Sequence, residues 1–153
     1  MKCKKVYLGS DHGGYALKQE LACFLKENGH DVVDVGSFSA ISTDYPDIAL
    51  LLCSQLLKEE DTQGILICGS GIGMSIAANK IHGIRAALCS EPLSARLSRE
   101  HNNANILCLG ARIIGPEMAK EIIQRFLATA FLGERHARRI QKITTIEEKN
   151  DVK

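Results

Sequence analysis

The densest chemistry in the chain is a thiol at the end of an apolar run, followed at once by alternating glycines: Ile65-Leu66-Ile67-Cys68-Gly69-Ser70-Gly71-Ile72-Gly73. An apolar run of this length bounded by glycine reads as a buried strand, and the glycines free the backbone to turn its N–H groups onto a small anion. A nucleophile or base beside an anion cradle points to catalysis. Asp11-His12, followed by Gly13-Gly14, sets an acceptor and a titratable imidazole in a second glycine loop. That pairing suits holding sugar hydroxyls or moving protons, and it is equally compatible with turn chemistry. His101-Asn102-Asn103 closes a helical stretch, where histidine also favours the negative end of the helix dipole. Arg135, His136, Arg138 and Arg139 crowd the start of the last helix, with Arg135 and Arg139 four apart on one face. Charge on a helix is commonly a solvated face, but basic groups this close repel one another. A dianionic phosphate relieves that repulsion through paired, charge-assisted hydrogen bonds.

The loop Gly69 to Gly73 also invites comparison with a dinucleotide fingerprint, and Glu91 lies at the end of the next strand, where that motif places an acid. The third glycine comes one residue early, Met74 occupies the sixth position, and the strand is the third of its sheet. The spacing favours an anion hole for a small ligand over a pyrophosphate cradle.

Composition bounds these readings. The 153 residues, 45% hydrophobic and 24% charged, suit one domain with its own core. A net charge of +1 gives no global field for nucleic acid. No apolar stretch is long enough to span a bilayer and no signal peptide is evident, so the expected compartment is the reducing cytoplasm, with no membrane partner. The six cysteines include no CxxC pair and therefore no zinc knuckle or dithiol redox motif. Cys23, Cys53, Cys89 and Cys108 are expected to be small core hydrophobes. His30 and His82 read as surface or cap residues.

Apolar runs and helical periods alternate throughout. Strands are expected at Lys5–Leu8, Asp31–Val35, Ile65–Cys68, Ile84–Cys89 and Ile106–Leu109. Leu17, Leu21, Phe24 and Leu25 mark a first helix stopped by Gly29, and the spacing predicts others at Pro46–Glu60, Ile72–Lys80, Pro92–His101, Pro116–Phe131 and Glu134–Lys149. Such alternation implies an α/β fold: a Rossmann-like three-layer sandwich with a five-stranded parallel sheet and C-terminal helices. Residues 1–148 form the single domain, with 149–153 as a loose polar end. Ligands of such sheets bind at the carboxyl ends of the strands, where the Asp11 loop, the Cys68 loop and Arg112 fall.

Seven islands then carry a family resemblance: Gly9-Ser10-Asp11-His12-Gly13-Gly14, Thr43-Asp44-Tyr45-Pro46, Ile67 to Gly73, Ala77-Ala78-Asn79-Lys80, Cys89-Ser90-Glu91-Pro92, Ser98-Arg99-Glu100-His101-Asn102 and Gly133-Glu134-Arg135-His136-Ala137-Arg138-Arg139. From Val6 to about Ile146 the chain resembles the B-type ribose-5-phosphate isomerases, a sugar-phosphate isomerase family that includes the galactose-6-phosphate isomerase subunits. The resemblance implies an aldose–ketose isomerase of the pentose phosphate pathway, interconverting D-ribose 5-phosphate and D-ribulose 5-phosphate through an enediolate, with no cofactor and no metal. It implies Cys68 as the base and His101 as the group that opens the furanose ring. The loop Gly69, Ser70, Gly71, Ile72 and Gly73 would bind substrate, with backbone donors from Gly69, Ser70, Gly71 and Gly73. Asp11 and Tyr45 would hold sugar oxygens, Asn102 would contact the sugar, and His12, Arg112, Arg135 and Arg139 would grip the phosphate. Sites would be shared between subunits of a homodimer or a dimer of dimers. One branch of the family uses a glutamate past the glycine loop as base. Met74 stands there, so the cysteine branch is the match, and Ser70 keeps the hydroxyl that many relatives supply as threonine. Alternative readings are an isomerase of allose or galactose 6-phosphate, selected by a loop such as Phe38 to Ser42, and a non-catalytic nucleotide-binding module.

Overall fold

Alternate residues of the central strands are fully buried toward opposite sides, which is what a parallel strand covered by helices on both faces requires. Val6, Leu8, Ile65, Ile67, Leu107 and Leu109 pack with Leu21, Leu25, Ile122 and Phe126 on one face. Tyr7, Leu66, Cys68, Ile106 and Cys108 pack with Leu52, Leu56 and Met74 on the other. The computed structural model describes residues 4–150.

The elements are β1 (Lys5–Ser10), α1 (Tyr15–Glu27), β2 (Asp31–Gly36), α2 (Tyr45–Leu56), β3 (Gln63–Cys68), α3 (Ile72–Ala78), β4 (Ala86–Leu88), α4 (Pro92–Asn102), β5 (Ile106–Gly110), α5 (Pro116–Ala128) and α6 (Glu134–Asn150). All strand pairs are parallel, in the order β2-β1-β3-β5-β4. Helices α1, α4 and α5 cover one face, α2 and α3 the other. The chain therefore leaves β3 toward one layer and leaves its neighbours β1 and β5 toward the other. Crevices open on both sides of the carboxyl end of β3, as expected where connections diverge.

The expected three-layer sandwich and its five strands are present. Helix α2 stops at Leu56, short of Glu60, and β4 is trimmed to three residues. Two burial expectations are reversed. Cys23 is exposed, because the buried stripe of α1 runs through Leu17, Leu21 and Leu25 and leaves position 23 facing solvent. His30 is buried rather than a surface or cap residue; it sits in an apolar gap beside Phe24, Ile123 and Leu127, where burial lowers its basicity. Cys53, Cys89 and Cys108 are core residues as expected. Lys149 is helical, not loose, because α6 runs through Asn150; residues 151–153 and Cys3 lie outside the described residues.

One buried charge is structural. The side chain of Lys18 is wholly inaccessible, its ammonium pairs with the Asp34 carboxylate, and the rings of Tyr15 and Phe38 lie 5.6 and 5.5 Å from Nζ. Asp34 also accepts from the Gly36 N–H at 2.9 Å, so the pair ties α1 to the exit of β2. Asp34→Leu leaves the ammonium without its partner and should lower the unfolding free energy by about 3 kcal/mol, whereas Lys18→Met/Asp34→Leu should recover most of it. Urea unfolding checks this; equal losses in the single and double variants would contradict it.

Candidate active site

Backbone hydrogen bonds lace together the three loops at the carboxyl ends of β1, β3 and β5. The Asp11 N–H donates to the Ile67 carbonyl at 3.2 Å, and the N–H groups of Ala111 and Arg112 donate to the carbonyls of Cys68 and Gly69, both at 2.9 Å. Asp11, Cys68 and Arg112 thus meet because their strands are neighbours. With Tyr45, Gly69, Ser70, Gly73 and Ile113 they line a cavity of about 340 Å³.

Within the glycine loop the Gly71 N–H donates to the Cys68 sulfur at 3.1 Å. Gly71 reaches that position at φ +77°, and a Cβ there would lie 2.5 Å from Leu88 Cδ1, so conformation and space both call for glycine. The Ile72 N–H donates to Ser70 Oγ at 3.2 Å. Two of the loop's donors are therefore used inside it, while the N–H groups of Gly69, Ser70 and Gly73 have no partner among the described residues. A Cβ on Gly73 would meet the Tyr45 ring at 2.7 Å, which shows how closely that ring leans on the loop. Met74 is fully buried in the core, where no base is needed.

Asp11 Oδ1 accepts from the Gly14 N–H at 3.1 Å and caps the short 3-10 turn His12–Gly14, leaving the other oxygen for the cavity. The Thr43 N–H donates to His12 Nδ1 at 3.2 Å. The same nitrogen lies 3.4 Å from the Thr43 carbonyl oxygen, so the Thr43 backbone holds the ring by Nδ1 in either tautomer without engaging Nε2. Thr43 in this role and Ile113 in the wall were not assigned from sequence. The threonine acts through its backbone and the isoleucine through its position after β5, neither of which leaves a signal in residue type.

The remaining candidates are elsewhere. Helix α4 begins beside the carboxyl end of β4 and returns the chain to the amino ends, eleven residues at about 1.5 Å each, or roughly 16 Å. Its last residues, His101 and Asn102, therefore lie on the opposite edge of the sheet from Cys68. There His101 stacks on His136, with ring centroids 4.3 Å apart and planes within 11°. This contact brings the first turn of α6, with exposed Arg135 and Arg139, to the same end. One chain thus presents two separate groups of the candidate residues. Asp11, His12, Tyr45, Cys68 to Gly73 and Arg112 form the first; His101, Asn102, Arg135 and Arg139 form the second. Glu91 belongs to neither: it caps α4, accepting from the N–H groups of Leu93 and Ser94 at 2.6 Å, so the acid that suggested a nucleotide ribose contact is occupied.

The thiols differ in the same way. Burial pushes Cys53 up to about 12 and Cys89 up to about 11, and it pushes Cys108 up as well. These three stay protonated at neutral pH, and the protonated thiol is the unreactive form. Among the described buried thiols, Cys68 alone lines the cavity. At about pH 8, iodoacetamide should modify Cys68 and exposed Cys23 and spare Cys53, Cys89 and Cys108. Mass spectrometry of the peptides reads this out; labelling of Cys108 at the rate of Cys68 would refute it.

Comparison with known proteins identifies the family. Residues 6–143 match the family model described as Ribose/Galactose Isomerase. The chain is 47% identical over 148 residues to ribose-5-phosphate isomerase B of Escherichia coli (strain K12), covering 97% of this chain and 99% of that one. It superposes on the ribose-5-phosphate isomerase B of Clostridium thermocellum with a TM-score of 0.93 at 51% identity, covering 95% and 99% of the two chains. The type B enzyme of Leishmania infantum gives 0.93 at 51% identity, covering 97% and 99%. With a family match over most of its length and relatives near half-identical end to end, the chain belongs to the ribose/galactose isomerase family.

Proposed function

We propose that the protein interconverts D-ribose 5-phosphate and D-ribulose 5-phosphate, with Cys68 as the proton carrier. The observation that carries this reading is a cavity-facing thiol beside unused backbone donors. Aldose–ketose isomerisation needs one group that removes and returns a proton, and fixed donors where negative charge develops. The Cys68 thiolate takes the proton from C2 of the open-chain aldose, the C–H electrons form the C1–C2 double bond, and the carbonyl oxygen becomes the oxyanion. The same sulfur returns the proton to C1 while a hydroxyl proton passes from O2 to O1, giving the ketose. The free N–H groups of Ser70 and Gly73 are the donors for the oxyanion. Asp11 and Tyr45 hold sugar oxygens, and His12 and the Arg112 guanidinium meet phosphate.

Ribose 5-phosphate is mostly a closed furanose and must open first. We assign that step to His101, with Asn102, Arg135 and Arg139 beside it, supplied by a second copy of the chain. Two observations support a homodimer with shared sites. The two constellations sit at opposite edges of one sheet, and exposed apolar residues flank both: Ile72, Leu88 and Ile113 near the first, Ile143 and Ile146 on α6. A phosphate clamp across an interface lets both chains form walls of a small pocket. No helix among the described residues is long and apolar enough to cross a membrane, and free thiols suit the cytoplasm. Specificity constants for ribose 5-phosphate, allose 6-phosphate and galactose 6-phosphate test the choice of sugar; a higher value for a six-carbon substrate would overturn it.

Cys68→Ala should lower turnover by about a thousandfold or more with the fold and substrate binding retained, and Cys68→Ser should be nearly as inactive. Normal turnover in the alanine variant would remove the assignment of base. His101→Asn should slow reaction from ribose 5-phosphate yet preserve solvent deuterium wash-in at C1 of ribulose 5-phosphate, which needs enolisation but no ring chemistry. Loss of both would place His101 in proton transfer between the carbons. Subunit exchange between inactive Cys68→Ala and inactive Arg139→Ala proteins should restore partial activity, because a mixed dimer holds one site with both residues intact. Verified exchange without recovery would reject the shared site.

A further inference from the structure

His136 is the one buried residue of α6 and meets His101 face to face. The backbone around His101 is held firmly. Arg85 donates to the carbonyls of Asn102 and Asn103, and Arg99 donates to the Asn103 side chain and the Ala104 carbonyl. The His101 ring is a different matter. Neither imidazole of the pair makes a hydrogen bond among the described residues, and His101 is only half-buried. An imidazole turns about two side-chain bonds, the outer of which has a broad preference. The flat contact with His136 lies against a face of the ring and so engages neither of its nitrogens.

We infer that His136 is a positioning residue: its buried ring orients the imidazole of His101 for proton transfer during furanose opening. The inference rests on the reading of His101 as the ring-opening group. The surroundings of His136 fit the role. Burial lowers its basicity, the charges of His101, Arg135 and Arg139 lower it further, and Glu134 opposes them less strongly. A neutral ring lets its stacked neighbour gain and lose a proton without facing a second like charge.

The test uses His136→Phe, which keeps a flat ring but no ionisable nitrogen, and His136→Leu, which fills the volume but cannot stack. His101→Asn serves as the reference. Two rates are read: turnover of ribose 5-phosphate, and deuterium wash-in at C1 of ribulose 5-phosphate. His136→Leu should lose about tenfold in turnover and His136→Phe should stay within about threefold, both with wash-in nearly unchanged. Full turnover in His136→Leu overturns the inference. Equal losses in both variants show that the nitrogens matter and not the face, which overturns it too. A parallel fall in wash-in shows that α6 has lost its phosphate contacts rather than the orientation of His101, and the positioning role is then rejected as well. If His101→Asn keeps full ribose 5-phosphate turnover, the ring-opening assignment fails first; if it loses turnover and His136→Leu does not, the positioning role fails alone.

Discussion

A helix that follows a parallel strand must carry the chain back across the sheet before the next parallel strand can begin. That constraint decides what one copy of this protein can assemble. Residues immediately after strands gather at the carboxyl edge, and residues at the ends of helices gather at the amino edge. Cys68 belongs to the first class and His101 to the second. No adjustment of side chains closes a gap as long as helix α4, so the proposed division of one site between two chains follows from topology rather than from any particular contact.

At the carboxyl edge the thiol, the donors and the guanidinium converge through register. Cys68 stands opposite Gly110, and Ile67 opposite Ser10, so the loops that follow start at one level and hydrogen-bond to each other. Within that frame Gly71 does two things at once. Its positive φ turns the chain into α3, and its N–H is delivered to the sulfur that ends the strand. The residues whose donors are left over, Gly69, Ser70 and Gly73, line the cavity beside that sulfur. The glycine loop is thus less a uniform cradle than a divided one, part committed to the thiol and part open.

At the amino edge the chain invests in holding the end of α4. Two arginines take the carbonyls that a helix terminus leaves without partners, Glu91 caps the other end, and α6 is attached through the buried His136 ring and through Glu147, which accepts from the Gly83 N–H at 3.3 Å. Much of α6 otherwise remains amphipathic and exposed, with Ile143 and Ile146 uncovered. This is the form expected of a segment whose partner is another copy of the chain, consistent with the proposed dimer.

Much of this was legible in the residues themselves. Apolar runs alternating with helical periods specified five strands, two helical layers and parallel connections, because burial on both faces leaves short unbroken apolar runs that the order of residues reveals. Cys68, the glycines and the Asp11 loop were identifiable because strand ends of this fold class place polar residues at one edge. Other features depended on neighbours far along the chain. Whether Cys23 or His30 is buried depends on the rotation of α1 and the seat of α5 against it. Whether Glu91 binds a ligand or caps a helix depends on where α4 starts. Which N–H groups remain free depends on dihedral angles at Gly71. That His136 lies on His101 required two segments 35 residues apart to pack together. A sequence specifies which groups exist and the period with which they face the core; distances, orientations and unused donors arise only when separate segments are brought into contact.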